Sequence, residues 1–181
     1  KILEYVENKP VEYIGEGAFL NCVRNIEELI LPNTCLSIKK RAFRNCVCLQ
    51  KVSYVNRFSN YERLFVLEEA FAGCDSLSDF IADGSHLWIM ENAFFECVNL
   101  QTISANLYVT KGRVFHNCSK IMLITVANGA WLSAKTFDNS VPEQITFLGC
   151  LRRPSKEMFK KLKKAIIVCT RDFPCLELAH E

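Results

Sequence analysis

The stretch Ile89-Met90-Glu91-Asn92-Ala93-Phe94-Phe95-Glu96-Cys97-Val98-Asn99-Leu100-Gln101-Thr102-Ile103 decides the fold, because its pattern returns along the chain. Its centre is Ala-Phe-x-x-Cys. The same unit stands at Ala18-Phe19-Leu20-Asn21-Cys22, Ala42-Phe43-Arg44-Asn45-Cys46 and Ala70-Phe71-Ala72-Gly73-Cys74. Val114-Phe115-His116-Asn117-Cys118 and Thr136-Phe137-Asp138-Asn139-Ser140 are weaker copies. A seventh, Met158-Phe159-Lys160-Lys161-Leu162, has lost the cysteine. Successive phenylalanines are 24, 28, 23, 21, 22 and 22 residues apart. A recurring period of this size is the mark of a repeat architecture.

The flanks keep the same register. Five residues before Phe stands an aliphatic residue at Ile14, Ile38, Val66, Ile89 and Leu132. Six residues after it come Leu49, Leu77, Leu100, Ile121 and Ala165, and three further on Val52, Phe80, Ile103, Ile124 and Val168. The first copy carries one extra residue, giving Ile26 and Leu29, and the sixth slips by one to Ile145. A single copy is too short to fold alone, so its apolar residues must be covered by the next copy. Stacked copies bury a continuous core, and stability becomes a sum of repeat and neighbour terms. With neighbouring strands roughly 4.8 Å apart, seven coils make a rod or shallow arc about 30 Å long. The Ala-Phe pair is expected on a short helical or 3₁₀ turn, with the ring inside. The predicted core is Phe19, Phe43, Phe71, Phe94, Phe115, Phe137 and Phe159. Cys22, Cys46, Cys74, Cys97 and Cys118 join it as small buried hydrophobes.

The pattern Ile-x-x-x-Ala-Phe-x-x-Cys-x-x-Leu-x-x-Ile-x-Leu-Pro, with Leu29-Ile30-Leu31-Pro32 as its strand-then-proline step, resembles the BspA-type leucine-rich repeat. Ile145-Thr146-Phe147-Leu148-Gly149 and Ala165-Ile166-Ile167-Val168 are similar to the degenerate last repeat of such arrays. The resemblance covers roughly residues 11 to 168. It implies a right-handed leucine-rich-repeat solenoid with a parallel sheet on the concave side. It also implies a non-catalytic binding role, often in adhesion to host proteins at microbial or protozoan cell surfaces. The chain departs from the pattern in three ways: proline follows the strand clearly only once, the second gap is long, and the cysteine fails in the last two copies. The domain expected is a single one over residues 1–181, with 150–181 as degenerate last repeat and cap.

Composition narrows the function. The chain has 181 residues, 50% hydrophobic and 23% charged, which argues against disorder. Twenty-two basic against twenty acidic residues leave no electrostatic footprint for nucleic acid. Apolar runs of about five residues, such as Ala165 to Cys169, fall far short of the roughly 20 a membrane span needs. The basic run Lys156–Lys164 reads as a solvated face on a capping coil, and Pro154-Ser155 as the opening of a short helix. Zinc sites need cysteine pairs spaced two to four apart, twice over. Here Cys46 and Cys48 are one residue apart and most of the others follow the repeat, so no metal or other cofactor is expected. Free thiols are expected in the ladder. A disulfide, if any, would involve Cys150, Cys169 or Cys175. A nucleophilic site would draw on His86, His116 or His180, but nothing supplies the base and orienting third group that such catalysis needs. The chain is therefore not read as an enzyme. Asn117-Cys118-Ser119 is formally a glycosylation sequon, but Cys118 is a core position.

Binding residues must come from elsewhere. Strand residues between core positions point outward. They include Glu27, Glu28 and Ile30, then Gln50, Lys51 and Ser53, then Ser78, Asp79 and Ile81. Gln101, Thr102 and Ser104 follow, then Met122, Leu123 and Thr125, and last Ile166, Ile167 and Cys169. This face runs from polar to apolar, and Lys51, Asp79, Met122 and Leu123 are its candidate protein-binding residues. The long second gap leaves an insertion around Val55–Arg63, where Arg57, Phe58 and Tyr61 are of the types that anchor interfaces. Trp88, Tyr108 and Trp131 lie on return segments and are expected to pack between coils. The expected function is that of a binding module of a larger surface or secreted protein, its partner another protein such as a host surface or matrix protein. The alternative is a cytoplasmic assembly scaffold with reduced cysteines. A third, remote reading is nucleic-acid binding through the lysine-rich cap.

Overall fold

The computed structural model describes residues 1–22, 26–54, 63–109, 112–152 and 156–169. In chain order these residues form β1 (Tyr5–Val6), β2 (Lys9–Pro10), β3 (Tyr13–Ile14), β4 (Glu28–Leu31), β5 (Ser37–Ile38), β6 (Lys51–Tyr54) and β7 (Arg63–Val66). Then come β8 (Asp79–Ile89), β9 (Thr102–Val109), β10 (Leu123–Val126), β11 (Gln144–Phe147), α1 (Lys156–Leu162) and β12 (Ile166–Cys169). β1 and β2 form a small antiparallel hairpin. All other strands join one parallel sheet.

That sheet has two ladders. The first stacks β4, β6, the start of β8, the start of β9, then β10, β11 and β12. The second stacks β3, β5, β7 and the far ends of β8 and β9. β8 and β9 are long because they run through both ladders, with the pairing shifted between Ile81 and His86. The corner of β8 falls at Asp83 and Gly84, and Gly84 takes φ 72°, which a glycine adopts without steric cost. Up to β9 each coil is thus strand, corner, strand, turn, and the coils of β10, β11 and β12 keep the first strand alone among the described residues. About six such coils make a parallel-strand solenoid, the leucine-rich-repeat architecture the period predicts.

The ring column forms as the spacing demands. Phe19, Phe43, Phe71, Phe94, Phe115 and Phe137 stack nearly parallel, with centroids 4.8, 5.3, 5.5, 5.9 and 5.6 Å apart. Phe80 wedges edge-on between Phe71 and Phe94 at 5.6 and 5.5 Å. Ala42, Ala70 and Ala93 are sealed from solvent beside the rings, with Val114 and Thr136 in the same place further on.

Four features differ from the sequence expectation. First, the Ala-Phe segments are not helical or 3₁₀. Their N–H groups alternate. Arg41, Phe43 and Asn45 donate to Glu68, Ala70 and Ala72 of the next coil, whereas Ala42, Arg44 and Cys46 donate back to Lys39, Arg41 and Phe43. A 3₁₀ turn would send every N–H inward. Left-handed residues at Arg41 (φ 56°) and Asn45 (φ 58°) reverse alternate peptides instead. Asn21, Gly73, Asn117 and Asn139 fill the Asn45 position in other coils, as residues that tolerate this conformation. Second, the cysteines are more than small hydrophobes. The thiols of Cys46, Cys74, Cys97 and Cys118 donate to the carbonyls of Phe19, Phe43, Phe71 and Phe94 one coil back, at 3.0–3.1 Å. Third, Phe159 is buried as expected, but instead of stacking in the ring column it sits on α1 and meets Phe147 edge-on at 6.3 Å. Fourth, in the last coil the pairing Ile145↔Ile167 turns Ile167 and Cys169 inward and leaves Ile166 and Val168 outward. That is one residue off the register read from Val168.

Candidate functional site

The outward residues of the first ladder fall into one column. Pairing aligns Glu28, Lys51, Asp79, Thr102, Leu123, Gln144 and Ile166 across seven strands. A neighbouring column carries Ile30, Ser53, Ile81 and Ser104. The strand period of two sets this arrangement, since every second side chain faces the core. At one end the column alternates charge, acid, base, acid. Towards the other end it carries no charge and alternates polar Thr102 and Gln144 with Leu123 (45% exposed) and Ile166 (63%), which stand open to solvent.

The structure therefore brings three of the sequence-selected residues, Lys51, Asp79 and Leu123, onto one face. Asp79 accepts a hydrogen bond from the Ser78 hydroxyl at 2.5 Å. Met122, 46% exposed, precedes β10 and donates its backbone N–H to the Gln101 carbonyl. Arg57, Phe58 and Tyr61 lie outside the described residues. Of the predicted core, Phe43, Phe71, Phe94, Phe115, Phe137, Cys46, Cys74, Cys97 and Cys118 are buried. Phe19 and Cys22 are only half-buried, since among the described residues no ring stacks on the far side of Phe19 from Phe43.

Burial disfavours the thiolate at Cys46, Cys74, Cys97 and Cys118. Burial pushes Cys46 up to about 11 and Cys118 up to about 12, and drives Cys74 and Cys97 upward as well. A protonated thiol cannot attack. His116 does not serve Cys118. Its ring stacks on Phe95 at 4.9 Å, while Cys118 is engaged with the Phe94 carbonyl. Among the described residues no three His, Cys, Asp or Glu side chains converge to hold a metal ion. Cys150 is an exposed thiol, and Cys175 lies outside the described residues.

A model of the BspA type leucine-rich repeat region matches residues 12–141 and 64–166, in six copies. The chain belongs to that family. No curated protein and no solved structure matches it. BspA-type repeats form modules that commonly bind proteins, and their solenoid is typically a non-enzymatic interaction scaffold. Family members are often surface or secreted proteins, and no helix among the described residues is long and apolar enough to cross a membrane.

This BspA-type solenoid has a second concavity, which the sequence reading missed. A cavity of about 520 Å³ lies beside the second ladder where that ladder ends at β9. Trp88, Tyr108 and Trp131 line it together with Glu68, Glu91 and Arg152. The signal was available. The three aromatics stand six, seven and six residues before their phenylalanines; Trp88 and Tyr108 lie on the second strands of their coils, and Trp131 lies in the matching stretch of the next coil, which forms no strand. Trp88 and Tyr108 do pack between coils, parallel at 4.7 Å.

Proposed function

We propose that this domain is the protein-binding module of a larger cell-surface or secreted protein, engaging a partner, such as a host surface or matrix protein, through the outward column of the first ladder. One observation carries the reading. Seven aligned rungs present charged residues at one end and solvent-exposed Leu123 and Ile166 at the other, over about 30 Å. Such a face offers an apolar anchor with charges to set register, the division of labour of a protein interface. The insertion bearing Arg57, Phe58 and Tyr61, outside the described residues, is proposed to add partner contacts of its own.

The test uses immobilised, purified extracellular matrix proteins and surface plasmon resonance. Leu123→Asp places a charge on an exposed apolar anchor and should weaken binding at least tenfold with an unchanged melting temperature. Lys51→Glu should act mainly through the association rate. Equal binding by wild type and both variants would remove the proposal.

A second reading, a cytoplasmic assembly scaffold with reduced cysteines, is favoured by Cys150, because exposed thiols persist best in a reducing compartment. Thiol labelling of the natively purified protein separates the two. Among the described residues Cys150 is the exposed thiol, so it reports compartment best, whereas the buried ladder does not.

A further inference from the structure

We infer that the cavity at the end of the second ladder is a carbohydrate-binding site, which takes a neutral oligosaccharide. It is a different surface from the first-ladder column and does not depend on the protein-binding proposal.

The cavity follows from the repeat lengths. In the coils of β8 and β9 the chain continues round the corner into a second strand. The next coil does not. β10 stops at Val126, with Val126 already paired to Leu107, and the chain turns through Ala127 to Ala130, where Gly129 takes φ 76°. Nothing lies within 4 Å of where a Cβ on Gly129 would sit, so the turn leaves open space beside it. The ladder steps down at this point, and the step exposes side chains that would otherwise be covered by the next rung.

The lining chemistry selects the ligand. Tyr108 and Trp131 supply aromatic surface, which the C–H faces of a sugar ring pack against, and Trp88 stacks behind Tyr108 as its support. Glu68 and Glu91 offer acceptors, Arg152 offers donors, and Asn128 offers both. A polyol needs acceptors and donors together beside an apolar wall. The other ligand classes each meet an opposing group. An anion meets two carboxylates. An apolar peptide segment would bury Glu68, Glu91 and Arg152 without partners, at the cost of desolvating them. A cation such as a lysine side chain meets Arg152, and it finds no open Trp88 face. The Arg63 guanidinium lies over that ring at 6.0 Å from the β7 side and Tyr108 covers it from the β9 side. The volume, about 520 Å³, lies in the range of small-molecule sites.

The chain carries a built-in probe, because Trp88 and Trp131 are its two tryptophans and both line the cavity. Tryptophan fluorescence of the full chain is titrated with maltotetraose, cellotetraose, chitotetraose and mannotetraose, each to about 10 mM, enough to fill a millimolar site. The acetylated peptide amide Ac-Lys-Lys-Lys-NH₂ is titrated in parallel. The expected result is a saturable change with at least one sugar, weakened about tenfold or more by Tyr108→Ala. Glu91→Gln alters an exposed side chain, so it keeps the melting temperature and should weaken the same sugar too. That variant keeps the test valid if Tyr108→Ala folds poorly. No saturation with any sugar, saturation with the lysine peptide alone, or sugar binding untouched by Glu91→Gln and Tyr108→Ala would each overturn the inference.

Discussion

The middle coils and the end coils share one motif but not one environment. Phe71 and Phe94 each stack on rings before and after, and Phe80 adds an edge-on contact to both. Phe19 has a stacked neighbour on one side and remains half-buried. Phe159 leaves the ring column for a helix whose Met158, Phe159 and Leu162 turn inward while its lysines stay solvated. The same residue thus contributes in proportion to how many coils flank it. In a solenoid the neighbour term is the larger share, and the termini need a different device to close.

The largest expected effect tests that inequality. Phe94→Ala should destabilise by about 3–5 kcal/mol, as for a large core aromatic. Phe19→Ala should cost about half as much, since half the burial is at stake. Urea melts of both variants read the difference directly. Equal losses would mean that the ends are as tightly coupled as the middle.

A second contrast sets Cys97 against Ser140. Both donate one coil back, Cys97 to the Phe71 carbonyl at 3.1 Å and Ser140 to the Phe115 carbonyl at 2.5 Å. The accepting carbonyl also takes an N–H from its own coil, as Phe71 does from Cys74, so both lone pairs are used. Cys97→Ala should cost about 1–3 kcal/mol through the lost bond and the void. Cys97→Ser keeps a donor and should cost less. A serine variant no more stable than the alanine one would show that the sulfur acts by volume alone.

The repeat was legible because the core residues recur at fixed offsets from each phenylalanine, and burial tolerates little change there. Lys51, Asp79 and Leu123 were legible for the same reason, as alternate residues of short strands. The thiol's role was hidden. Sequence spacing shows that Cys97 is inside, but not that its S–H points at a carbonyl one coil back. Ser140 was the available hint. The left-handed turns were also signalled, by Asn21, Asn45, Gly73, Asn117 and Asn139 at one position. The cavity was not legible as a site, because Glu68, Glu91 and Arg152 come from three coils in segments whose lengths vary. The last-coil register failed because α1 replaces the turn that anchors the count elsewhere.

Alkaline pH should separate the ladder from the rest of the protein. Burial holds the Cys46 and Cys118 thiols at about 11 and about 12 against an ordinary 9.0. Above pH 9 the unfolded chain releases these protons and the folded chain keeps them, so the unfolded state binds fewer. Stability is therefore full below about pH 9 and falls as pH rises towards the folded values. Cys97→Ser removes one such group and should flatten the decline in urea midpoints. A decline unchanged by that substitution would assign it to lysines or tyrosines instead.

The smallest effect concerns the ion pairs that tie turn to turn. In the middle, Arg41 grips the Glu69 carboxylate through Nε at 3.0 Å and Nη2 at 3.2 Å, and Arg44 adds a further bond. Towards the end, Asp138 takes Lys161 and, more loosely, Arg113 at 3.7 Å. The Arg41 hydrogen bonds hold the Glu69 carboxyl below its ordinary value of 4.5. Both partners are partly exposed, so Glu69→Gln should cost no more than about 1 kcal/mol at neutral pH. A carboxyl lowered by folding contributes above its unfolded value and loses that contribution as pH falls through the folded one. The gap between wild type and Glu69→Gln should therefore be constant above about pH 5 and close at lower pH. It should also narrow in molar salt. Asp138→Asn, which gives up a lysine contact and a distant arginine rather than a bidentate arginine grip, should show a smaller gap. A Glu69→Gln deficit that survives both acid and salt would mean that the side chain packs between the turns rather than pairing across them.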